Sequence, residues 1–427
     1  MSRRVPGRLH RMLSPNGAPL FELKVGDHTF TDDTLHSITI HRGTSGPRES
    51  STPSTIEFEV TANHIPFFYN SPIELRLSLA LAQRIAADSA GTHDDNSLRW
   101  RFNGRGANQS ITDIRTGLQQ TTATGTSWAA LLFNAARLVP VQPDELICNL
   151  LERALSHPAY LYQVRPAFAL YSDFDRVQGP VESMPFQDVI SKYGTGLGVD
   201  VQYRRGGETH LVPLVRKREI LFQRLNTFRW PVLRSEVLSP ASWHQPLETA
   251  SEQYVWKYAT ANGSEYETVW PIPVGLDQTR LRRTEVDWRH ATYATENYRH
   301  LMDALTITAN QRRTSLNTVS FDLLHLITSD NPYHRRIASH LIALEAGDPV
   351  YFSGDWLPIV RGAYFAQEIT ETITGQEWTM QLTLSHARNV VGLYENEEPT
   401  VDAIAWDSAA ADWDSADTTW NDGRVLI

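Results

Sequence analysis

Two neighbouring segments near the C-terminal end of the chain alternate apolar and polar residues over long stretches. AYFAQEITETIT covers residues 363–374, and WTMQLTLS covers residues 378–385. A period of two places successive side chains on opposite faces of a β-strand. A short turn at Gly375 joins the segments, so the sequence predicts a long β-hairpin. The residues expected to share its buried face are Phe365, Ile369 and Ile373 on the first strand and Trp378, Met380, Leu382 and Leu384 on the second.

The first 115 residues show the same alternation in shorter segments. These segments are FELKV (21–25), SITI (37–40), TIEFEV (55–60), IELRLSL (73–79) and LRWRF (98–102). Stretches rich in Gly, Pro, Ser and Asp separate them and supply turns and loops. This part of the chain therefore predicts an antiparallel β-barrel or sandwich.

The period of the apolar residues then changes from two to three and four. This spacing predicts two amphipathic helices, in TSWAALLFNAARL (126–138) and in DELICNLLERALSH (144–157). Ser127 and Asp144 are the expected N-caps, because a side-chain oxygen there can accept a hydrogen bond from the first helical turn.

A shorter helix and a hairpin are expected next. PFQDVISKY (185–193) has Ser183 before it and Gly194 after it, which are typical helix boundaries. VDVQYRRGGETHLVPLV, which starts at residue 199, predicts a β-hairpin that turns at Gly206 and Gly207.

Strands and one helix are expected between residues 240 and 345. EQYVWKYATANGSEYETVW predicts a hairpin around Asn262 and Gly263. ENYRHLMDALTITAN (296–310) predicts a helix, and the strand SLNTVSFDLL (315–324) follows it.

These patterns together predict a β-rich α+β fold with antiparallel barrel or sandwich domains, helical insertions and a C-terminal β-hairpin domain. A chain of 427 residues exceeds the usual size of one hydrophobic core. We expect four parts: a β-barrel over 1–118, a helical and mixed module over 119–222, a second β-rich domain with one helix over 223–390, and an acidic tail over 391–427.

Charge and cysteine content exclude several classes of protein. A net charge of −10 argues against broad nucleic-acid binding, which requires a surplus of Lys and Arg, although a local basic patch is left open. The single cysteine, Cys148, excludes an intrachain disulfide framework. The segment MSRRVPGRLHRML lacks the apolar run of a signal peptide, and no stretch of about 18 apolar residues occurs. We expect a protein made in the cytoplasm without membrane insertion.

The sequence contains no motif that indicates catalysis. No His-x-x-x-His spacing for a metal and no Gly-x-Ser-x-Gly nucleophile motif occurs. Cys148 lies on the apolar side of a predicted helix, which favours a buried structural thiol. The glycine-rich segments NGRG (103–106) and GTGLG (194–198) lack the flanks of a phosphate-binding loop and are interpreted as turns. We therefore expect no catalytic, metal or cofactor site and no enzyme activity.

The C-terminal segment carries the candidate binding residues. Trp406, Trp413 and Trp420 stand seven residues apart among aspartates. A helix would bring the three indoles onto one stripe, whereas the abundant Asp, Ser and Thr disfavour a helix. The segment is either a solvated acidic tail or a segment that docks through its tryptophans. Docking is favoured because buried tryptophans are typical interface anchors, and the docking surface is either this protein or a neighbouring one.

The order of these modules resembles the minor tail proteins of long, non-contractile-tailed phages, particularly those of actinobacterial hosts. SITIHRG, TIEFEV, IELRL and LRWRFNGRGANQSIT are similar to the first barrel of the family and its edge. PFQDVISKYGTGLGVDVQYRRGG is similar to its helix, glycine-rich bend and hairpin. LEAGDPVYFSG, the 363–385 hairpin and the repeated Trp-Asp units are similar to its C-terminal part.

The resemblance implies a structural virion protein at the tail tip. It implies a homotrimer around the tail axis, whose paired barrels form a ring of pseudo-sixfold symmetry. The partners implied are the tail tube or distal tail protein, the tape measure protein, and other minor tail proteins or a central fibre, with DNA only in transit. Two other functions are left open: a tail-tip receptor-binding protein that recognises cell-wall glycan through some of its 12 Trp and 15 Tyr, and a tail-associated wall hydrolase.

Overall fold

The fold is taken from a computed structural model of the chain. It describes residues 8–386 except 15–18, 33, 44–51, 64, 67, 90–97, 116–117, 129–137, 156–163, 167–175, 179–180, 190–191, 194–198, 204, 206–208, 214–231, 239–240, 245–250, 260–263, 270–280, 293–314 and 354–361.

Strands make up most of the described structure. In chain order they are β1 Phe21–Val25, β2 His28–Thr31, β3 Leu35–Gly43, β4 Thr52–Ala62, β5 Pro72–Leu77, β6 Trp100–Arg115, β7 Leu118–Ser127, β8 Leu138–Val141, β9 Val164–Pro166, β10 Arg176–Val177, β11 Glu182–Pro185, β12 Val199–Tyr203, β13 Thr209–Pro213, β14 Val232–Leu233, β15 Ala241–His244, β16 Ser251–Ala259, β17 Glu265–Val269, β18 Leu281–Thr292, β19 Ser315–Asp322, β20 Pro349–Phe352, β21 Gly362–Thr374 and β22 Trp378–His386.

The helices are few and short. They are α1 Arg8–Leu13, α2 Leu79–Ala87, α3 Ile147–Leu155, α4 Phe186–Val189, α5 Leu323–Thr328 and α6 Pro332–Ala343, with a 3-10 turn at Ser235–Val237. The predicted β-rich α+β fold class is confirmed.

One sheet of 13 strands forms the body of the molecule. Its hydrogen-bonded order is β15-β19-β22-β21-β3-β4-β7-β6-β5-β1-β2; β20 pairs with β21, and β14 pairs with β20. Smaller sheets join β10-β18-β16-β17, β11-β8 and β12-β13-β9. The N-terminal strands β1–β7 and the C-terminal hairpin therefore belong to one sheet, because β3 pairs with β21. The predicted division of the chain into four parts stays a prediction.

The large sheet curls around its core. Strands β7, β4 and β3 separate β6 from β21 in the sheet, yet Arg101 on β6 bonds to Glu371 on β21 through Nε and Oε1 at 3.2 Å. Four strand spacings of a flat sheet would place about 19 Å between them. Phe21 on β1 meets Trp378 on β22 in the same core, with ring centroids 5.4 Å apart. The enclosed apolar cluster extends from Leu9 in α1 to Leu384 in β22.

Alternation located most strands of this sheet correctly. FELKV is β1 with the predicted bounds, and the 363–385 hairpin is β21 and β22. The predicted hairpins also form, as β12 with β13 and as β16 with β17, although their turn residues fall in the gaps of the structure.

NGRG is not a turn. Residues 103–106 lie inside β6, which pairs with β5 on one side and β7 on the other. A Cβ on Gly104 would collide with the carbonyl oxygen of Thr126, and one on Gly106 with that of Phe68. The glycines therefore allow close backbone approach within a strand rather than a reversal of the chain.

Two predicted helix starts are wrong. Asp144 has a φ of 59° and lies in a turn, so α3 begins three residues later at Ile147. Ser183 lies in β11 opposite Pro140, and the helix predicted over 185–193 begins at Phe186.

Four helices in the described chain, α1, α2, α5 and α6, were not predicted. The predicted strand 73–79 ends at Leu77, because the hydroxyl of Ser78 accepts from the backbone N–H of Leu81 and starts α2. The helices α5 and α6 form C-terminal to the predicted helix 296–310, where no helix was predicted. The helix predicted over 296–310, residues 129–137 of the helix predicted over 126–138, and the segment GTGLG lie outside the described residues; Ser127 itself ends β7.

Candidate functional site: the outward face of the large sheet

The large sheet buries one face and turns the other outward. Every second side chain of β1, of β5 and of β7 from Thr121 onward is buried, and the side chains between them are partly or fully exposed. Residues that pair across antiparallel strands point to the same face. The outward side chains of neighbouring strands therefore line up in rows across the sheet.

Threonine dominates these rows over six strands, from β19 to β7. In the order β19, β22, β21, β3, β4, β7, one row is Ser320, Gln381, Thr370, His41, Thr55 and Thr126, and the next is Asp322, Thr379, Thr372, Thr39, Glu57 and Thr124. Shorter rows are Thr318, Thr383 and Glu368 on one side and Thr374, Ser37, Glu59 and Thr122 on the other. We call these four rows the threonine face.

The threonine face is polar and contains no basic side chain that is permanently charged. Its charged residues are Glu57, Glu59, Asp322 and Glu368, and none of its residues is Lys or Arg. Its polar groups bond sideways to each other: the Nδ1 atom of His41 lies 3.0 Å from the Oγ1 atom of Thr370. Threonine suits this position because its branched side chain favours strands while its hydroxyl faces water.

On the strands beyond β7, the same outward face carries arginine and tryptophan side chains instead of threonine. The guanidinium of Arg76 on β5 lies 3.9 Å from the ring centroid of Trp100 on β6, and that of Arg105 lies 4.0 Å from the ring centroid of Trp128. Stacking of this kind is favourable because the face of an indole ring has a negative electrostatic potential that attracts a cation. We define the arginine-tryptophan strip as Lys24, Arg76, Trp100, Asn103, Arg105 and Trp128.

Hydrogen bonds fix the orientation of the strip. The indole Nε1 of Trp128 donates to the side-chain oxygen of Asn103 at 2.9 Å, and Nη1 of Arg105 donates to the side-chain oxygen of Asn70 at 2.9 Å. Arg76 pairs with Glu74 at 2.8 Å. The side chain of Tyr69, beside Asn70, is 78% exposed. The strip is thus a built arrangement of cations on aromatic rings.

A buried ionic cluster lies on the opposite, inner face and supports both regions. Glu371 on β21 accepts from Arg101 on β6, from Arg42 on β3 at 3.3 Å, and from the indole of Trp378 at 2.9 Å. The side chains of Arg42, Arg101 and Glu371 are at most 1% exposed. Breaking such a cluster on one side leaves an uncompensated buried charge.

Burial and the neighbouring charges shift the pKa values in this cluster. Burial, followed by repulsion from Arg101, lowers the pKa of Arg42 to about 10. Burial also lowers the pKa of Arg101. Burial by itself would raise the pKa of Glu371, but the charges of Arg101 and Arg42 outweigh it and hold that pKa below its ordinary value. Glu371 is therefore ionised at neutral pH.

The end of helix α6 ties a third part of the chain to this cluster. The carbonyl oxygen of Ile342 accepts from Nη1 of Arg101 at 2.5 Å and also from Nη1 of Arg205, which follows β12. Arg205 additionally bonds to Glu345 at 2.7 Å and to the carbonyl oxygen of Ala343 at 2.5 Å. Cations at a helix C-terminus satisfy carbonyls that lack partners within the helix.

The predicted site residues, Trp406, Trp413 and Trp420, lie outside the described residues. Within the described ranges, no group of three or more His, Cys, Asp or Glu could hold a metal ion. No helix among them is long and apolar enough to cross a membrane. The threonine rows and the strip were not predicted, because the sequence shows which residues alternate but not which strands pair.

Comparison with known proteins places the fold among phage tail proteins. No family model and no curated protein matches the sequence. The tail protein from Neisseria meningitidis MC58 matches with a TM-score of 0.56 at 9% identity, over 87% of this chain and 98% of that one. The 43 kDa tail protein of prophage MuSo2 from Shewanella oneidensis gives the same values. The lidded PdpA-VgrG complex of Francisella matches with a TM-score of 0.50 at 9% identity, over 90% of this chain and 56% of that one. The chain thus shares its fold with phage tail proteins and with a VgrG complex.

Proposed function

We propose that this chain is a structural virion protein that forms the trimeric tail-tip hub of a siphophage of an actinobacterial host. In this role it joins the tail tube or distal tail protein to distal tip proteins, and it contacts the tape measure protein and other minor tail proteins or a central fibre. The similarity to tail proteins over 87% of the chain supports a structural role without turnover.

The observation that carries the proposal is the threonine face. A wall that DNA passes must be wetted but must not hold phosphates, and Lys and Arg are the side chains that neutralise phosphates. The threonine face offers hydroxyls and carboxylates over six strands with neither. We assign this face to the wall of the DNA exit channel.

The trimer requires that copies cover exposed strand edges. Along Ser110–Arg115, β6 pairs with β7 on one side, and no described strand lies on its other side. Ile114 in this stretch is 51% exposed. An uncovered edge of this kind is a site for pairing with another chain. We assign it to the contact between copies.

Oligomer mass tests this contact. We expect the full chain to behave as a trimer of about 145 kDa, three times its 48.3 kDa mass, in light scattering coupled to size exclusion. Ile114→Asp should shift it to the monomer. Val181→Asp, at a residue that is 71% exposed outside the large sheet, is the matched control and should stay trimeric. A wild-type monomer, or a trimer that survives Ile114→Asp, contradicts this assignment.

The channel role is tested in virions. A double Thr39→Arg, Thr372→Arg variant places two cations in one row of the threonine face. We expect particles that assemble but eject DNA more slowly, with the delay relieved by salt because the attraction is electrostatic. Unchanged ejection kinetics would remove the threonine face from the channel.

Recognition of cell-wall glycan is the second candidate function, and the exposed ring of Tyr69 favours it. Binding of soluble host polysaccharide to the full chain, lost in Tyr69→Ala, would support it. The indoles of the strip are less suited to sugars, because a guanidinium already covers one face of each.

A further inference from the structure

The arginine-tryptophan strip has more cations than acids around it, although the protein as a whole is acidic. Lys24, Arg76, Arg99 and Arg105 lie on or beside it, whereas Glu22 and Glu74 are the acids next to it on β1 and β5. Glu74 pairs with Arg76, and Glu22 lies 3.9 Å from Arg99. Arg105 bonds to a neutral amide, so Lys24 and Arg105 are the cations available for an acidic partner.

The strongest acidic segment of the protein is its own C-terminal end. Residues 391–427 contain nine Asp and Glu and one Arg, which account for eight of the ten net negative charges of the chain. The same segment contains Trp406, Trp413 and Trp420. Its composition complements a surface of cations and aromatic rings, since carboxylates pair with the cations and indoles stack on guanidinium planes and rings.

We propose that the acidic tail, residues 391–427, docks on the arginine-tryptophan strip. Carboxylates of the tail pair with Lys24 and Arg105, and the indoles pack on the exposed ring of Tyr69 and on the partly exposed guanidinium groups of Arg76 and Arg105. This contact needs no hub role for the protein, so it stands or fails independently of the function proposed above.

The chain is long enough for this contact. The last described strand ends at His386, twenty residues before Trp406. Twenty residues span up to about 66 Å when extended and about 25 Å on average as a flexible coil. The tail can therefore reach the strip of its own chain or that of a neighbouring copy.

The tail fits the strip better than a neutral ligand does. A sugar needs an open aromatic face, but Arg76 and Arg105 cover Trp100 and Trp128. A guanidinium between two indoles keeps both of its faces in contact, and a tail tryptophan supplies the second indole.

Zero-length cross-linking of the full chain tests the contact. A carbodiimide joins a lysine amine to a carboxylate that touches it, and the chain has only the lysines 24, 192, 217 and 257. Lys192 and Lys257 already pair with Glu182 and Glu285. Trypsin releases the tail as one peptide, 389–424, with all nine acids, and a cross-linked Lys24 remains in the peptide 12–42. We expect these two peptides to be joined.

Variants establish what holds the tail. We expect the joint replacement of Trp406, Trp413 and Trp420 by Ala to lower the yield of the Lys24 cross-link by at least about tenfold, as for the loss of interface anchors. Arg105→Gln should lower it by about threefold, as for one exposed ion pair. Arg289→Gln changes an exposed arginine on β18, which belongs to a different sheet, and should leave the yield unchanged.

Two outcomes overturn the proposal. One is the absence of a cross-link between Lys24 and the tail. The other is a tail that cross-links equally to all lysines or keeps its Lys24 cross-link after the tryptophan replacements. Mixing chains of natural and heavy nitrogen distinguishes docking within one chain from docking between copies, and the oligomer mass measured on the same samples reports separately on the hub.

Discussion

The threonine face and the arginine-tryptophan strip occupy the same outward side of one sheet, yet they differ in every chemical respect. The threonine face extends over six strands with hydroxyls and four acids, whereas the strip places two guanidinium groups on two indoles within β5, β6 and the residue after β7. Both obey the same alternation, since their strands bury the intervening side chains in one core. Alternation thus decides which positions face outward, and the identity of the outward residues is left for function to select.

The largest expected effect comes from the cluster that lies beneath both regions. Glu371→Ala leaves Arg42 and Arg101 buried without their carboxylate, and we expect a loss of about 3–5 kcal/mol in the free energy of unfolding. Urea denaturation measures it. Glu377→Ala, at an exposed turn of the same hairpin, should change stability by less than about 0.5 kcal/mol. Equal effects of the two substitutions would contradict the proposal that the buried cluster stabilises both regions.

Acid should weaken the same cluster to a smaller extent, because a protonated Glu371 still donates and accepts hydrogen bonds. Its pKa in the folded protein lies below its unfolded value, so the stabilisation is complete above the unfolded pKa and is lost as pH falls through the folded pKa. We expect the unfolding free energy to decline below about pH 4.5, measured by urea titration at a series of pH values. A stability that rises on acidification would show the opposite sign of the shift.

The next prediction compares a glycine inside strand β6 with a glycine in the turn between β21 and β22. Gly106→Ala forces a Cβ against the carbonyl of Phe68 and should cost about 1–3 kcal/mol, whereas nothing lies within 4 Å of a Cβ on Gly375. Thermal unfolding of the two variants is the measurement. If Gly375→Ala destabilises as much as Gly106→Ala, close approach in β6 is not the reason for its glycines.

The smallest effect compares the two regions directly. Arg105→Gln removes the stacking on Trp128 and should cost about 0.5–1 kcal/mol, while Thr39→Val on the threonine face should stay within about 0.5 kcal/mol, since a β-branched residue is kept. Denaturation midpoints of both variants test this order. A larger loss of stability for Thr39→Val would mean that the threonine face contributes to folding stability rather than serving only as a polar surface.

Sequence reasoning located strands well because alternation is a local property. β1 and the β21–β22 hairpin follow from it. The glycines of NGRG were misread as turns, since close approach of Gly106 to Phe68 depends on a distant segment. α2 was missed because the apolar residues of the strand continue past Ser78, and Ser78 is the N-cap of the helix.

The candidate site was less accessible to prediction than the fold. A threonine row exists only once β3, β4, β21 and β22 are in register, and no single segment reveals that register. Arg101 and Glu371 are 270 residues apart in the chain. The tryptophans that the sequence did single out, Trp406, Trp413 and Trp420, stay a prediction.

The shared acceptor at the end of α6 has a consequence for the order of synthesis. The oxygen of Ile342 that receives both Arg101 and Arg205 does not exist until most of the polypeptide has been made. At a ribosomal rate of about 5–20 residues per second, Glu371 is synthesised roughly 14 to 54 seconds after Arg101. The emerging N-terminal half therefore cannot complete the buried ionic cluster until Ile342 and Glu371 have been synthesised.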